Sequence, residues 1–291
     1  MNKQKCNICG SSKSEVLIDR GDYKFVKCKD CDLIYTFPQP SSKTLDKLYC
    51  KGYFRRAAAV GKSFRDYTVG VDEYLKVFRR RAKIISKYKK TGDILDVGCA
   101  IGCFLEVMKD RGWHVSGVDL SKDAVDYCKQ RFGVEAFNGP LQDAGFKEKQ
   151  FDVITLWGIL EHMRDPNAEL EYMRTLLKDD GILFVETPDI ESFMFQLLES
   201  KWPHMKPEHL YHFSNKTLGQ LLNSKGFDVL RVTRQHTGKY VDIDYLLHRV
   251  KSINPLLYRL LSPLRIISPL SFYINLRDEM LFIAKKKEST T

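Results

Sequence analysis

From Asp93 onward, short apolar runs alternate with stretches of helical period, and this rhythm constrains the fold more than any other feature of the 291-residue chain. The apolar runs fall at 94–97, 115–118, 134–137, 153–156, 182–185, 229–232 and 280–284. Helical spacing fills 104–111, 124–132, 167–177 and 214–225, the last bounded by Ser214 and Gly226 as caps. Apolar runs separated by amphipathic helices are what strands buried on both faces and joined by crossover helices look like. The expected fold is therefore α/β: a Rossmann-like, mostly parallel sheet of seven strands with helices on both faces.

The first run, Ile94-Leu95-Asp96-Val97, enters Gly98-Cys99-Ala100-Ile101-Gly102 and then a helix. Small residues at such a junction let a ligand approach backbone amides closely. Asp119 closes the next strand, 23 positions after Asp96, where a carboxylate accepts hydrogen bonds from ribose hydroxyls. Taken alone, the Gly-x3-Gly turn is weak and Asp119 could cap a helix; on consecutive strands they favour a nucleoside. The turn lacks the Gly-x-Gly-x-x-Gly of a dinucleotide site and the Gly-Lys-Ser/Thr of a P-loop. Asp96 beside it repels a phosphate and suits a cationic cofactor, which points to S-adenosylmethionine.

Ahead of the sheet stand Cys6-x2-Cys9 and Cys28-x2-Cys31. Two such knuckles, the first with Gly10 at its bend, complete a closed tetrahedral shell for a structural Zn²⁺; the competing reading is free or disulfide-bonded thiols. Cys50, Cys99, Cys103 and Cys128 have no partner in sequence and read as core or loop thiols. The chain thus divides into a zinc-binding knob (1–40), a linker and helical flap (41–90) and a sheet domain (91–291). Within the flap, a helix start is expected at 41–48, a basic loop at 51–71 and a helix within 72–90. A frayed tail is expected at 285–291. With no secretory signal and no apolar stretch long enough to span a bilayer, a cytoplasmic location is expected.

Residues 96–102, Asp119, Phe151-Asp152-Val153-Ile154 and 177–187 resemble the successive motifs of class I S-adenosylmethionine-dependent methyltransferases. The likeness covers about 72–232 and the last strand. The first forty residues resemble the Cys-pair leader of one branch, in which Cys28-Lys29-Asp30-Cys31-Asp32-Leu33-Ile34-Tyr35 leads through Pro38 and Pro40 into a helix and a Tyr-rich stretch (here Tyr49 and Tyr53). Members of that branch modify sugars, glycolipids or secondary metabolites. Ala100 departs from the Gly that many members carry. The resemblance implies that Gly98 and Gly102 pass the methionine part of the cofactor, with Asp96 near its amino group. Asp119 would hold the ribose, Leu120 and Leu141 would flank the adenine, and Leu156 and Trp157 would line the pocket floor. Trp157 also reads as a core residue.

Glu161-His162 follows the 153–156 run, and His204, His209 and His212 gather within 202–213. Methyl transfer from a sulfonium is an in-line displacement that needs alignment and sometimes a base, but no metal. His162 and His209 are the expected base or substrate orienter, against a packing or capping role. The 207–214 segment resembles the substrate-facing loop of the same branch. Relatives that bind a cation there carry a further carboxylate where this chain has Gly158, so no metal is expected at Glu161-His162.

The net charge of +10 suits a polyanion, an acidic substrate or a membrane surface. The segment 246–276 has no acidic residue and sets Arg249, Lys251, Arg259, Arg265 and the adjoining Arg277 among Leu, Ile, Tyr and Phe. It reads either as a peripheral membrane contact or as a lid, packing or dimer surface. The expected activity is methyl transfer to a small-molecule or glycan acceptor: a sugar, nucleotide-sugar, lipid-linked glycan or secondary metabolite. One rival is an RNA methyltransferase that docks rRNA or tRNA through the zinc knob. The other is a cofactor-binding module without chemistry.

Overall fold

The computed structural model describes residues 5–41, 70–243, 246–247, 250–251, 255–267 and 270–287. Most of the expected 41–48 helix, nearly all of the 51–71 loop, and Tyr49, Cys50, Tyr53, Arg249 and Pro269 lie outside the described residues.

Three antiparallel strands come first: β1 (Ser14–Asp19), β2 (Lys24–Cys28) and β3 (Ile34–Phe37). After α1 (Val71–Ile85) the alternation sets in, with β4 (Asp93–Val97), α2 (Cys103–Lys109), β5 (His114–Asp119) and α3 (Lys122–Phe132). Then come β6 (Phe137–Asn138), β7 (Phe151–Trp157), α4 (Pro166–Leu176) and β8 (Leu177–Pro188). The remaining elements are α5 (Phe193–Leu198), β9 (Tyr211–His212), α6 (Asn215–Ser224), β10 (Phe227–Thr233), β11 (Lys239–Asp242), α7 (Pro255–Leu261), β12 (Ser271–Ile274) and β13 (Glu279–Lys286).

Local chemistry sets the helix ends. Ser121 caps α3 by accepting from the Ala124 amide, and Gly133 ends that helix at φ 61°. Asp165 caps α4 with Pro166 in its first turn, and Ser214 and Thr217 form a reciprocal capping box on α6.

Seven strands form the main sheet in the order β10-β13-β8-β7-β4-β5-β6, and only β13 runs antiparallel to its neighbours. The expected architecture is present. From β4 the chain first winds outward through β5 and β6, then returns to place β7 on the opposite side of β4. That reversal opens a crevice at the carboxyl ends of β4 and β7, where sheets of this kind bind ligands.

Successive residues of a strand face opposite sides, and two cores follow. Ile94, Val153, Phe184 and Ile283 pack with Phe104 of α2 and Ile85 of α1 on one face. Leu95, Ile154, Leu156, Leu183 and Phe282 pack with Leu170 of α4 on the other. The second core also holds Cys6, Cys28, Cys31, Leu33 and Tyr35. The N-terminal module is therefore built into the sheet domain. Its sheet takes a fourth strand, β9, from far along the chain, with Ile34 opposite His212 and Tyr35 opposite Tyr211.

Several elements differ from expectation at their ends, and the strand expected at 134–137 is confined to Phe137–Asn138. β8 begins at Leu177, five residues before the apolar run: Leu177 pairs with Phe151 of β7, the register shifts over the charged Lys178-Asp179-Asp180 stretch, and pairing resumes at Ile182 with Val153. The tail expected to fray is ordered as far as Lys286, where the buried ammonium donates to the Leu177 carbonyl at 3.0 Å.

Candidate functional site

The two knuckles converge. Cys6 Sγ lies 3.4 Å from Cys31 Sγ and Cys9 Sγ lies 3.5 Å from Cys28 Sγ, and all four sulfurs fall within 4.8 Å of one another. A tetrahedron with Zn–S bonds of about 2.3 Å has edges of about 3.8 Å, so the residues fit the ion. Gly10, at φ 71°, makes the first bend as expected. In the second knuckle Asp32 takes the same conformation, at φ 71°.

At the crevice, Gly98 (φ 75°) and Gly102 (φ 82°) bracket the turn between β4 and α2. A Cβ on Gly98 would sit 2.5 Å from the Ile159 side chain, and one on Gly102 would sit 2.1 Å from Cys128 Sγ. Both glycines are required by backbone angle and by space. Ala100 between them also has a left-handed backbone, at φ 48°, which explains why relatives favour Gly there. Asp119 closes β5 and organises this loop. Its Oδ2 accepts from the Ala100 amide and its Oδ1 from the Ser121 amide, each at 2.8 Å. Burial raises its pKa.

The structure sorts the remaining cofactor candidates. Leu120 is 65% exposed beside Asp119, while Leu141 is buried in the Leu141–Ala144 turn just beyond β6. Asp96 is buried under the turn, where its Oδ1 accepts from the Thr155 hydroxyl at 2.6 Å and ties β4 to β7. Burial pushes its pKa up to about 8. Leu156 belongs to the core on one face, and Trp157 packs on the other, its ring 5.3 Å from that of Phe104. Arg81 of α1 lies 4.9 Å from the Trp157 ring and makes a buried two-pronged pair with Glu186, whose Oε2 accepts from its Nε at 2.9 Å.

Ile159, packed on Gly98, leads within two residues to the second cluster. Glu161, His162 and His209 place one ligand or proton-accepting atom each within 4.8 Å of one another. The His162 and His209 rings meet edge to face at 4.6 Å, and His204 stacks near His209 at 5.6 Å. His212 packs its edge against Phe25 of β2 at 5.0 Å. Burial, helped by the charge of Lys206, holds His162 down at about 3, and burial with the neighbouring His162 lowers His209 as well. Both imidazoles are neutral at physiological pH. Glu161 moves the other way: burial pushes it up to about 7, against the 2.9 Å hydrogen bond that it accepts from Thr187 Oγ1. Gly158 sits at φ 67° with its Cβ direction 3.6 Å from Glu161 Oε1, so Glu161 has no second carboxylate at that position.

The structure thus joins the two expected histidines with Glu161, which the sequence grouped with His162 without giving it a catalytic role, and adds Thr187, which sequence reasoning had not placed in the site. The adjacency of Glu161 to His162 was the available signal. Thr187, at the end of β8, gave none.

The N-terminal module reaches this cluster through the backbone. Thr36 of β3 donates its hydroxyl to the His209 carbonyl at 2.9 Å and its amide to the Leu210 carbonyl at 3.0 Å. The Leu210 amide donates to the Glu161 carbonyl at 2.8 Å. Asn7, inside the first knuckle, donates to the Tyr211 hydroxyl at 2.8 Å.

Residues 71–232 match the family described as Methyltransferase domain. The chain is similar to a ubiquinone biosynthesis O-methyltransferase of Glaesserella parasuis, with 33% identity over 106 residues, 32% of this chain and 44% of that one. It is also similar to the enzyme of that name from Aeromonas salmonicida, with 25% identity over 180 residues, 54% of this chain and 76% of the other. The first match therefore spans less than half of the relative's length. Among solved structures, a SAM-dependent methyltransferase from Archaeoglobus fulgidus superposes with a TM-score of 0.50 at 20% identity, covering 73% of this chain and 94% of that one. At that identity the likeness is one of fold.

Proposed function

Because this chain belongs to the methyltransferase-domain family and has its S-adenosylmethionine-binding fold, we propose that it transfers a methyl group to a hydroxyl oxygen of a small-molecule or glycan acceptor. The observation that carries the reading is the junction of the two clusters. The Gly98–Gly102 turn and Asp119 are joined through Ile159 to Glu161, His162 and His209.

S-adenosylmethionine supplies a methyl group on a sulfonium, which is electrophilic without help from a metal. The backbone of Gly98 and Gly102 would pass its amino-acid part, the Asp119 carboxylate would take the ribose hydroxyls, and exposed Leu120 would cover one adenine face. Leu141 and Leu156 support this wall from the core, and Trp157 lies at the floor with Arg81 and Glu186. Asp96 acts beneath the turn, holding β4 against Thr155.

Transfer to a hydroxyl forms a C–O bond, breaks the C–S⁺ bond and releases the hydroxyl proton. Glu161 is suited to accept that proton, directly or through His162, because its affinity lies near neutral pH. The neutral imidazoles of His162 and His209 can orient the hydroxyl without competing for a full charge. The names of the relatives favour oxygen as the acceptor atom.

The four-cysteine cluster would hold a structural Zn²⁺ that fixes β3, and through Thr36 and β9 the loop carrying His209. The role is positional.

Calorimetry with S-adenosylmethionine, followed by an assay of S-adenosylhomocysteine release over phenolic, sugar and nucleotide-sugar acceptors, tests the proposal. Cofactor binding with turnover on one of these classes supports it. Absence of binding would leave a module without chemistry, and turnover on RNA alone would reject the small-molecule acceptor.

A further inference from the structure

The segment 246–276 holds nine of the sixteen large hydrophobic side chains exposed among the described residues. Leu256 and Leu260, one turn apart on α7, are each 75% exposed, and Ile266 in the turn after it is 88% exposed. Arg259 and Arg265 stand exposed among them, and the whole segment has no carboxylate. Its base is fastened. β11 pairs with β12, Lys76 of α1 donates to Ser271 Oγ at 2.8 Å, and the Arg80 guanidinium lies 4.0 Å above the Tyr273 ring. A fixed root thus displays an aliphatic, cationic surface to solvent.

Three occupants can be weighed by charge and shape. A second copy docking symmetrically would bring two cationic segments together, and neither carries an acidic residue of its own. Single-stranded nucleic acid stacks on aromatic platforms, whereas the most exposed side chains here are aliphatic. An anionic lipid surface meets both properties: leucines enter the acyl boundary while arginine stems snorkel to the headgroups. No helix among the described residues is long and apolar enough to cross a membrane.

We infer that the surface formed by Leu256, Arg259, Leu260, Arg265 and Ile266 is an interfacial docking element that seats this protein on anionic membranes. The inference rests on this surface and not on the acceptor assigned above. The test is co-sedimentation of the full chain with phosphatidylcholine vesicles, with and without phosphatidylglycerol, at low and high salt. Binding should require phosphatidylglycerol and weaken with salt. Arg259→Glu with Arg265→Glu should lower partitioning at least about thirtyfold, since each cation near an anionic surface is worth about 1 kcal/mol. Leu256→Glu with Leu260→Glu should abolish binding, and calorimetry with S-adenosylmethionine should be unchanged in both. Recovery of the full chain in the supernatant with phosphatidylglycerol vesicles would overturn the inference. So would a dimer in ultracentrifugation that the same leucine substitutions dissociate, because the surface would then be covered by a second copy.

Discussion

Glu161→Gln separates the acid–base reading of the second cluster from a purely structural one. A buried carboxyl held at about 7 instead of its ordinary 4.5 stays protonated in the folded chain while the unfolded chain ionises. The stability linked to this proton is fully present below pH 4.5 and is lost as pH rises through about 7. At about 1.4 kcal/mol per tenfold change in proton affinity, the loss is about 3 kcal/mol. Glutamine does not titrate, and its oxygen can still accept from Thr187, so its extra buried donor adds only an offset independent of pH. Asp96 and Glu186 are also raised by burial. The informative quantity is therefore the difference between wild type and variant, in which the Asp96 contribution cancels and only the part of the Glu186 shift that the Glu161 charge supplies is left. Urea unfolding between about pH 5 and about pH 8 should show the variant gaining about 3 kcal/mol on wild type across the range. In parallel, wild-type kcat should rise with pH to a plateau with its midpoint near 7, and the variant should lose that dependence. A difference in stability that stays flat over the range would refute the raised affinity of Glu161. An unaltered kcat profile in the variant would remove Glu161 as proton acceptor.

Asp119→Ala removes the acceptor of two 2.8 Å backbone bonds and the carboxylate proposed to take the ribose hydroxyls; calorimetry should show S-adenosylmethionine affinity reduced about 100-fold, on the scale of lost charge-assisted hydrogen bonds. Gly98→Ala forces a Cβ to 2.5 Å from Ile159 at φ 75°, so cofactor binding and thermal stability should fall together. Ala100→Gly relieves a left-handed backbone at φ 48° and should raise stability by up to about 1 kcal/mol in denaturant unfolding. Chelation of the proposed Zn²⁺, or Cys31→Ser, should reduce kcat far more than cofactor affinity, because the four-cysteine cluster adjoins β3, whose Thr36 holds the His209 carbonyl, whereas Asp119 holds the Ala100 amide of the turn. Metal analysis of the untreated protein should give about one zinc per chain.

Much of this arrangement is legible in the chain itself, because it is written in local signals. Apolar runs mark the strands and the 3.6 period the helices, Ser214 and Gly226 mark the ends of one helix, and Gly98 and Gly102 mark the turn. The paired cysteines announce their cluster by spacing alone. What was not legible depends on contacts between distant segments. Nothing in Tyr211-His212 says that it will pair with β3, since a two-residue strand has too few positions to show a period. The raised proton affinity of Glu161 follows from burial, which outweighs the opposing hydrogen bond from Thr187, 26 residues away, and a motif records neither. Trp157 and Leu156 are neighbours in sequence, yet strand alternation sends them to different cores.

The sharing of β9 has a consequence for how such a chain could diversify. A leader that lends its edge to the loop bearing His209 cannot be exchanged between relatives as an independent cassette. Grafting a foreign leader would move the loop bearing His209, the proposed acceptor wall, while the turn at Gly98–Gly102 keeps its own hold on Asp119. New acceptor preferences could therefore arise from changes among the first forty residues, far in sequence from any group that touches the migrating carbon.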